Sequence, residues 1–227
     1  MKALITIGMQ SVVEALRPKF EQASSHVLNM TFGVGPMLAE RVRNGEAADF
    51  LILPRLGYDW QGRTSSHVVL ASNVGAVAVR KGESKPDLSS PDALRRTLLA
   101  ARTIGYSSPA FGGFASIHFA KVLERLRIAE EVKAKTRFPT AGGLVGNLLV
   151  SGKVDIGIQQ LSELMSVSGT DVIGPLPGDF QSVTAYAAAI PIGSRAPEEA
   201  QALIDFLRSP EAGEVMRAKG VAPYPDR

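Results

Sequence analysis

Cysteine is absent from all 227 residues, which excludes disulfides and thiolate-based metal or redox chemistry. Aromatic residues make up only 6% of the chain, with a single tryptophan. The 25 Lys and Arg are interspersed with 22 Asp and Glu, for a net charge of +3. Without a basic stripe or interleaved aromatics, the sequence offers nucleic acid no footprint. The three histidines, His26, His67 and His118, stand apart from one another and from any carboxylate cluster, so no metal site is expected. No apolar run approaches the roughly 18 residues of a membrane span, and direct membrane insertion is not expected. The opening MKALITIGMQ enters a strand pattern at once, without the apolar core and cleavage site of a secretory leader. The expected location is therefore cytoplasmic for the sequence as written, and periplasmic if a leader has been removed.

Catalytic and nucleotide motifs are missing too. There is no G-x-S-x-G and no phosphate-binding G-x-x-x-x-G-K-[ST]. GVGPML (33–38) starts like a dinucleotide fingerprint but ends on Leu38, and no acidic residue closes a following strand at the required distance. No cofactor is expected.

What the chain does have is a regular alternation of short β-rich runs and longer amphipathic ones. Strands are predicted at 2–7, 27–33 and 49–53, separated by helices at 10–22 and 36–45. Val12, Val13, Leu16 and Phe20 share one face of the first helix, which Pro18 is expected to kink or restart. Pro36 suits a first helical position and Gly45 a helix stop. A strand at 74–80 leads into a polar segment, where Ser90 is placed to cap a helix over 91–101. A second series follows: strand 102–106, helix 115–127, strand 134–138, helix 143–151 and strand 154–158. A strand at 183–190 and helices at 197–208 and 210–219 complete the pattern. This order predicts an α/β protein of two lobes, each a mostly parallel sheet flanked by helices. Lobe 1 is expected to comprise 1–76 plus 188–227 and lobe 2 residues 77–187, with hinge crossings near 74–80 and 183–190. A ligand cleft between the lobes is expected, because small ligands bind at domain junctions and at the carboxyl ends of parallel strands.

Glycines precede four of the predicted helices: Gly8, Gly33 with Gly35, Gly112 with Gly113, and Gly142 with Gly143. A helix start presents unpaired amides and the positive end of the dipole, and glycine lets a ligand approach the backbone. Four such starts on one sheet edge would hold a small anion; a lone glycine before a helix is more often a plain loop. In YSSPAFGGFAS (106–116), Ser107, Ser108 and Ser116 are either ligand donors or helix caps. Gln159 and Gln160 follow the predicted strand 154–158; alternation turns one of them to the ligand, and Gln160 is the favoured one. His118 is the only residue in this region able to move a proton at neutral pH. No carboxylate is spaced to orient it, and a surface or packing role is the alternative.

Several longer stretches carry a resemblance. FGVGPMLAERVRNGEAADFLILP (32–54), ASIHFAKVLERL (115–126), VSGKVDIGI (150–158) and AQALIDFLRSPEAGEVMRAKGVAP (200–223) are similar, in collinear order, to segments of the molybdate-type solute-binding proteins. These are type 2 periplasmic binding proteins of ABC importers, and the last stretch is the most specific of the four. The resemblance implies two α/β lobes that close on a ligand, with contacts from four loops. Carried onto this chain, the first loop is Met9, Gln10 and Ser11, of which Ser11 is the available hydroxyl. The second falls at Val34, Gly35 and Pro36, with no hydroxyl. The third falls near Ser116, in a loop about two residues longer here, and the fourth is a backbone amide near Gly142 and Gly143. The family's tyrosine is replaced within Gln159–Gln160. Two polar positions expected for a tetrahedral oxyanion are thus altered, which favours a di- or tricarboxylate over molybdate.

The resemblance implies a solute-binding protein that traps a small anion for import. It would be a monomer, with an ABC importer membrane component as partner. The same broad family includes an aconitate isomerase, so isomerisation of an unsaturated carboxylate is the second expectation. A cytoplasmic ligand-sensing module, like the effector half of a LysR-type regulator, is the third.

Overall fold

The computed structural model describes residues 1–56 and 58–224. In chain order the elements are β1 (Lys2–Thr6), α1 (Gln10–Ser24), β2 (Asn29–Gly33), α2 (Gly35–Arg43), β3 (Phe50–Pro54) and β4 (Thr64–Arg80). Then come α3 (Pro91–Ala100), β5 (Ile104–Tyr106), α4 (Phe114–Arg125), α5 (Ala129–Ala134), β6 (Thr136–Arg137) and α6 (Val145–Val150). Next are β7 (Ile156–Gln160), α7 (Leu161–Met165), β8 (Thr170–Pro175) and β9 (Val183–Pro191). The chain closes with α8 (Pro197–Leu207), α9 (Pro210–Ala218) and β10 (Ala222–Pro223). It folds into two compact units, Met1–Asn73 with Thr184–Arg227, and Val74–Val183, so the boundaries fall inside β4 and at the start of β9.

In the first unit the strands run β2–β1–β3–β9–β4, with β10 antiparallel to β4. β1 lies parallel to β2 and β3, and β9 returns antiparallel to β3. Alternation along β1 explains the two faces. Ala3 and Ile5 join Val12, Val13, Leu16 and Phe20 of α1, together with α8 and α9 residues, in one core. Leu4 points the other way, into a second core with Leu38, Leu51, Tyr58 and Trp60.

The second unit has the order β8–β4–β7–β5–β6, with β5 parallel to β6 and β7 and with β4 antiparallel to both of its neighbours. Val77 and Val79 face α3, α4 and α5, while Ala76 and Ala78 face α6 and α7. Ser90 caps α3 by accepting the Ala93 amide at 3.1 Å, as its position predicts. In both units, then, a sheet carries helices on its two faces.

Several local expectations need correction. α1 continues through Pro18 without a break over Gln10–Ser24. Proline deprives only the Glu14 carbonyl of its donor, and Glu14 and Pro18 both lie on the exposed face, where water replaces that bond. β4 begins ten residues earlier than the run 74–80 suggests, because its first half is polar on one side and its alternation is weak. The helices α5 and α7 and the strands β8 and β10 have no counterpart in the sequence pattern, being short and held by tertiary contacts. Gln159 and Gln160 lie within β7 rather than after it.

Candidate functional site

In the first unit, β1 and β2 end level with one another, with Thr6 opposite Gly33. Adjacent strands lie ~4.8 Å apart, so the chain segments leaving them start side by side. After Thr6 a 3₁₀ turn, Ile7–Met9, leads directly into α1, and neither Thr6 nor Met9 caps with its side chain. After Gly33 the chain enters α2, whose N-cap, Val34, offers no side-chain cap. Two helix starts, without a cap from their own N-cap side chains, thus lie at the positive ends of their dipoles.

Thr6 adds a group that the sequence reading passed over. The residue is only 4% exposed, and its hydroxyl has no hydrogen-bond partner among the described residues. A β-carbon placed on Gly35 would stand 3.4 Å from Thr6 Oγ1 and 2.4 Å from Pro54 Cδ. Gly35 is therefore a glycine of close packing, and the absence of its side chain keeps the Thr6 hydroxyl beside the first residue of α2. The signal was available in the alternation of β1: Thr6 shares a face with Leu4, the face that meets α2.

The other first-unit candidates divide. Met9 is fully buried in the core, so only its backbone is available. Gln10 Nε2 donates to Glu14 Oε1 at 2.9 Å, which turns its side chain along the helix. Ser11 is half-buried in the first turn of α1.

In the second unit a single side chain gathers several of the candidates. Gln159, 5% exposed, accepts the Val145 amide at 2.7 Å through Oε1. Its Nε2 donates to Ser107 Oγ and to the Gly143 carbonyl, both at 3.2 Å. Gln159 thus ties the loop after β5 to the loop before α6, and it uses the α6 helix-start amide internally. Gln160, 6% exposed, is the last residue of β7, opposite Gly75. Gly142 adopts φ of 74°, and the Gly143 amide closes the turn onto the Thr140 carbonyl at 2.8 Å.

The remaining candidates are locally engaged. Ser108 caps the short 3₁₀ turn Pro109–Phe111 by accepting the Ala110 amide at 3.3 Å. Gly112, at φ 75°, ends that turn, and Gly113 is the N-cap of α4. Ser116 is buried and donates to the Gly113 carbonyl at 2.8 Å, a bond within its own helix turn. The α4 start keeps its amides free of any side-chain cap. His118 Nε2 lies 2.7 Å from the Phe180 carbonyl, which anchors the imidazole to the turn Gly178–Phe180.

One further group escaped the sequence reading. Glu163, on α7, is only 8% exposed. Burial pushes its carboxyl up to about 8, and the polar Gln159 side chain opposes this only in part. Its position in LSEL gives no hint of burial, because acidic residues in short helices are ordinarily solvated. Among the described residues, no three His, Cys, Asp or Glu come together to hold a metal ion. No described helix is long and apolar enough to cross a membrane.

Comparison with known proteins places this architecture. The family model described as bacterial extracellular solute-binding protein matches residues 2–222. An aconitate isomerase from Pseudomonas sp is 31% identical over 229 residues, covering 96% of this chain and 86% of that protein. The periplasmic molybdate-binding protein of Azotobacter vinelandii superposes with a TM-score of 0.75 at 17% identity, covering 100% of both chains. PEB3 of Campylobacter jejuni with bound L-phospholactate superposes with a TM-score of 0.72 at 15% identity, covering 99% of this chain and all of the other. The fold is that of the type 2 periplasmic binding proteins.

Proposed function

Because this chain belongs to the bacterial extracellular solute-binding protein family, we propose that it binds a small di- or tricarboxylate anion outside the cytoplasmic membrane. It would act as a monomer and deliver that anion to the membrane component of an importer. The observation that carries this reading is the level ending of β1 and β2. It sets two helix starts that lack a cap from their own N-cap side chains side by side, with the buried Thr6 hydroxyl beside Gly35, the first residue of α2. Amides and a hydroxyl are hydrogen-bond donors suited to carboxylate oxygens. The donors we assign are Thr6, Ser11 and the backbone of Met9–Gln10 and Val34–Gly35 in the first unit. In the second they are Ser107, the backbone of Gly112–Gly113 and Gly142, and Gln160, with Gln159 holding the loops in place; the hydroxyls of Ser108 and Ser116 and the Gly143 amide are already engaged within their own turns.

A carboxylate is favoured over molybdate on two grounds. The second loop offers no hydroxyl at Val34–Gly35–Pro36, and the relative with 31% identity is named for a tricarboxylate substrate. Thermal unfolding with molybdate, sulfate, citrate, tricarballylate and both aconitate isomers tests the reading. A carboxylate at 100 times its dissociation constant should add about 2.7 kcal/mol. No stabilisation by any of these anions would overturn the proposal.

The same relative supports a second reading, isomerisation of aconitate by moving one proton across the allylic system. A base removes a proton from the methylene carbon, the double bond shifts, and the far vinylic carbon is protonated. Proton NMR of cis- and trans-aconitate with the protein in deuterium oxide decides it. Interconversion with deuterium incorporation is expected for an isomerase, and an unchanged spectrum over many hours rules out that activity.

A further inference from the structure

We propose that Ser107 is a specificity-determining residue of the second unit, and that Gln159 is the positioning residue that makes its hydroxyl a one-way donor, reserved for an ionised carboxylate oxygen of the ligand. The polarity of the hydroxyl follows from the hydrogen bonds alone; its contact with a ligand rests on the anion-binding reading above.

Gln159 has one orientation open to it. The Val145 N–H, 2.7 Å from one end of the carboxamide, can only donate, so that end is Oε1. The Gly143 carbonyl, 3.2 Å from the other end, can only accept, so that end is Nε2. Turning the amide over would set N–H against N–H and oxygen against oxygen in a side chain that is 5% exposed. Nε2 therefore has one hydrogen for Gly143 and a second for Ser107 Oγ, at 3.2 Å. A carboxamide nitrogen is a donor only, so Ser107 must accept this bond. The hydrogen of the Ser107 hydroxyl is directed elsewhere, and no described residue receives it.

The sheet decides where that hydrogen is offered. β5 and β7 are parallel, with Tyr106 opposite Ile158, so Ser107 and Gln159 stand side by side at the carboxyl end of the pair. That is the edge at which open α/β sheets receive ligands. Gln159 is buried there, whereas Ser107 is half-buried and keeps access to solvent. Ser116, by contrast, gives its hydrogen to the Gly113 carbonyl. A hydroxyl that accepts one bond while donating another has a polarised O–H, and a charged acceptor makes a bond roughly twice as strong as a neutral one. The ligand atom at Ser107 must therefore be an acceptor, which a carboxylate oxygen is and an ammonium or amide N–H is not.

Neutron diffraction on the ligand-free wild type reads the polarity directly. The Ser107 deuterium should lie off the line to Gln159 Nε2, and the two Nε2 deuteriums should point to Ser107 and Gly143. A Ser107 deuterium on that line overturns the proposal, and this needs no variant to fold. Calorimetric titration with tricarballylate then reads the ligand contact, and affinity should fall about tenfold in Ser107→Ala. Gln159→Glu reverses the polarity. Glutamate has at most one hydrogen at that end, and the Gly143 carbonyl, which cannot donate, claims it. Ser107 then donates to the glutamate instead of to the ligand, so adding Ser107→Ala to Gln159→Glu should cost less than about twofold. A tenfold cost in both backgrounds would mean that Gln159 only shapes the loops, and it would overturn the positioning role. A wild type that binds tricarballylate and is unaffected by Ser107→Ala overturns this inference alone. A wild type that binds no carboxylate overturns the function proposed above together with the ligand contact.

Discussion

The phenol oxygen of Tyr186 occupies the space where Gly8 would carry a side chain: a β-carbon there would stand 2.1 Å from it. Gly8 is thus held by packing against β9, in the turn that opens α1. Overpacking of this kind costs about 1–3 kcal/mol, so Gly8→Ala should lower unfolding stability by that amount. Tyr186→Phe removes the oxygen but leaves the ring carbon at 2.9 Å. The double variant should therefore be less destabilised than the sum of the two single changes, as a denaturant-based mutant cycle would show.

Thr6→Val tests the hydroxyl beside α2. The shapes match, and the oxygen has no partner among the described residues, so stability should change by less than about 0.5 kcal/mol. Carboxylate affinity, measured by calorimetry, should fall about fivefold to tenfold, the worth of one hydrogen bond. Thr6→Ser should keep most of it. An unchanged affinity in Thr6→Val would remove Thr6 from the site.

Glu163 also predicts a pH-dependent stability. Its folded value lies well above the 4.5 of an ordinary glutamate, so the folded chain retains a proton that the unfolded chain releases. That contribution is complete below about pH 4.5 and is lost as pH rises through about 8. Over this window the wild type should lose up to roughly 1.4 kcal/mol per pH unit from this group. Urea unfolding at pH 5, 7 and 9 should show the slope in the wild type and a much flatter profile in Glu163→Gln.

Pro18 interrupts the hydrogen-bond ladder of α1 on its exposed face. Replacing it by alanine restores a donor to the Glu14 carbonyl and a better helix former. Pro18→Ala should raise stability by about 1–3 kcal/mol in thermal or denaturant unfolding. A loss of stability would mean that the proline ring makes packing contacts that outweigh its helix penalty.

Much of the fold was legible in the chain. Val12, Val13, Leu16 and Phe20 marked the buried face of α1, and Ser90 marked the start of α3, because periodicity and capping are local properties. The long C-terminal helices were equally plain, each opened by a proline at its first position. The short α5, α7, β8 and β10 were not legible, since elements of two to six residues are fixed by what they pack against. For the candidate site, the loops could be located but the working atoms could not. Ser116 and Ser108 look like donors in sequence, yet their hydroxyls are engaged within their own turns. Thr6 and Glu163 look like an ordinary strand residue and an ordinary surface acid.

The sequence by itself determined the α/β order, the absence of thiol and nucleotide chemistry, and the placement of glycines ahead of helices. These depend on residues close together in the chain. Tertiary structure alone decided that Thr6 meets Gly35, that Gln159 joins Ser107 to the start of α6, and that Glu163 is shut away from water. Each of those depends on which strand lies beside which and how deeply a side chain is covered, and no local pattern carries that information.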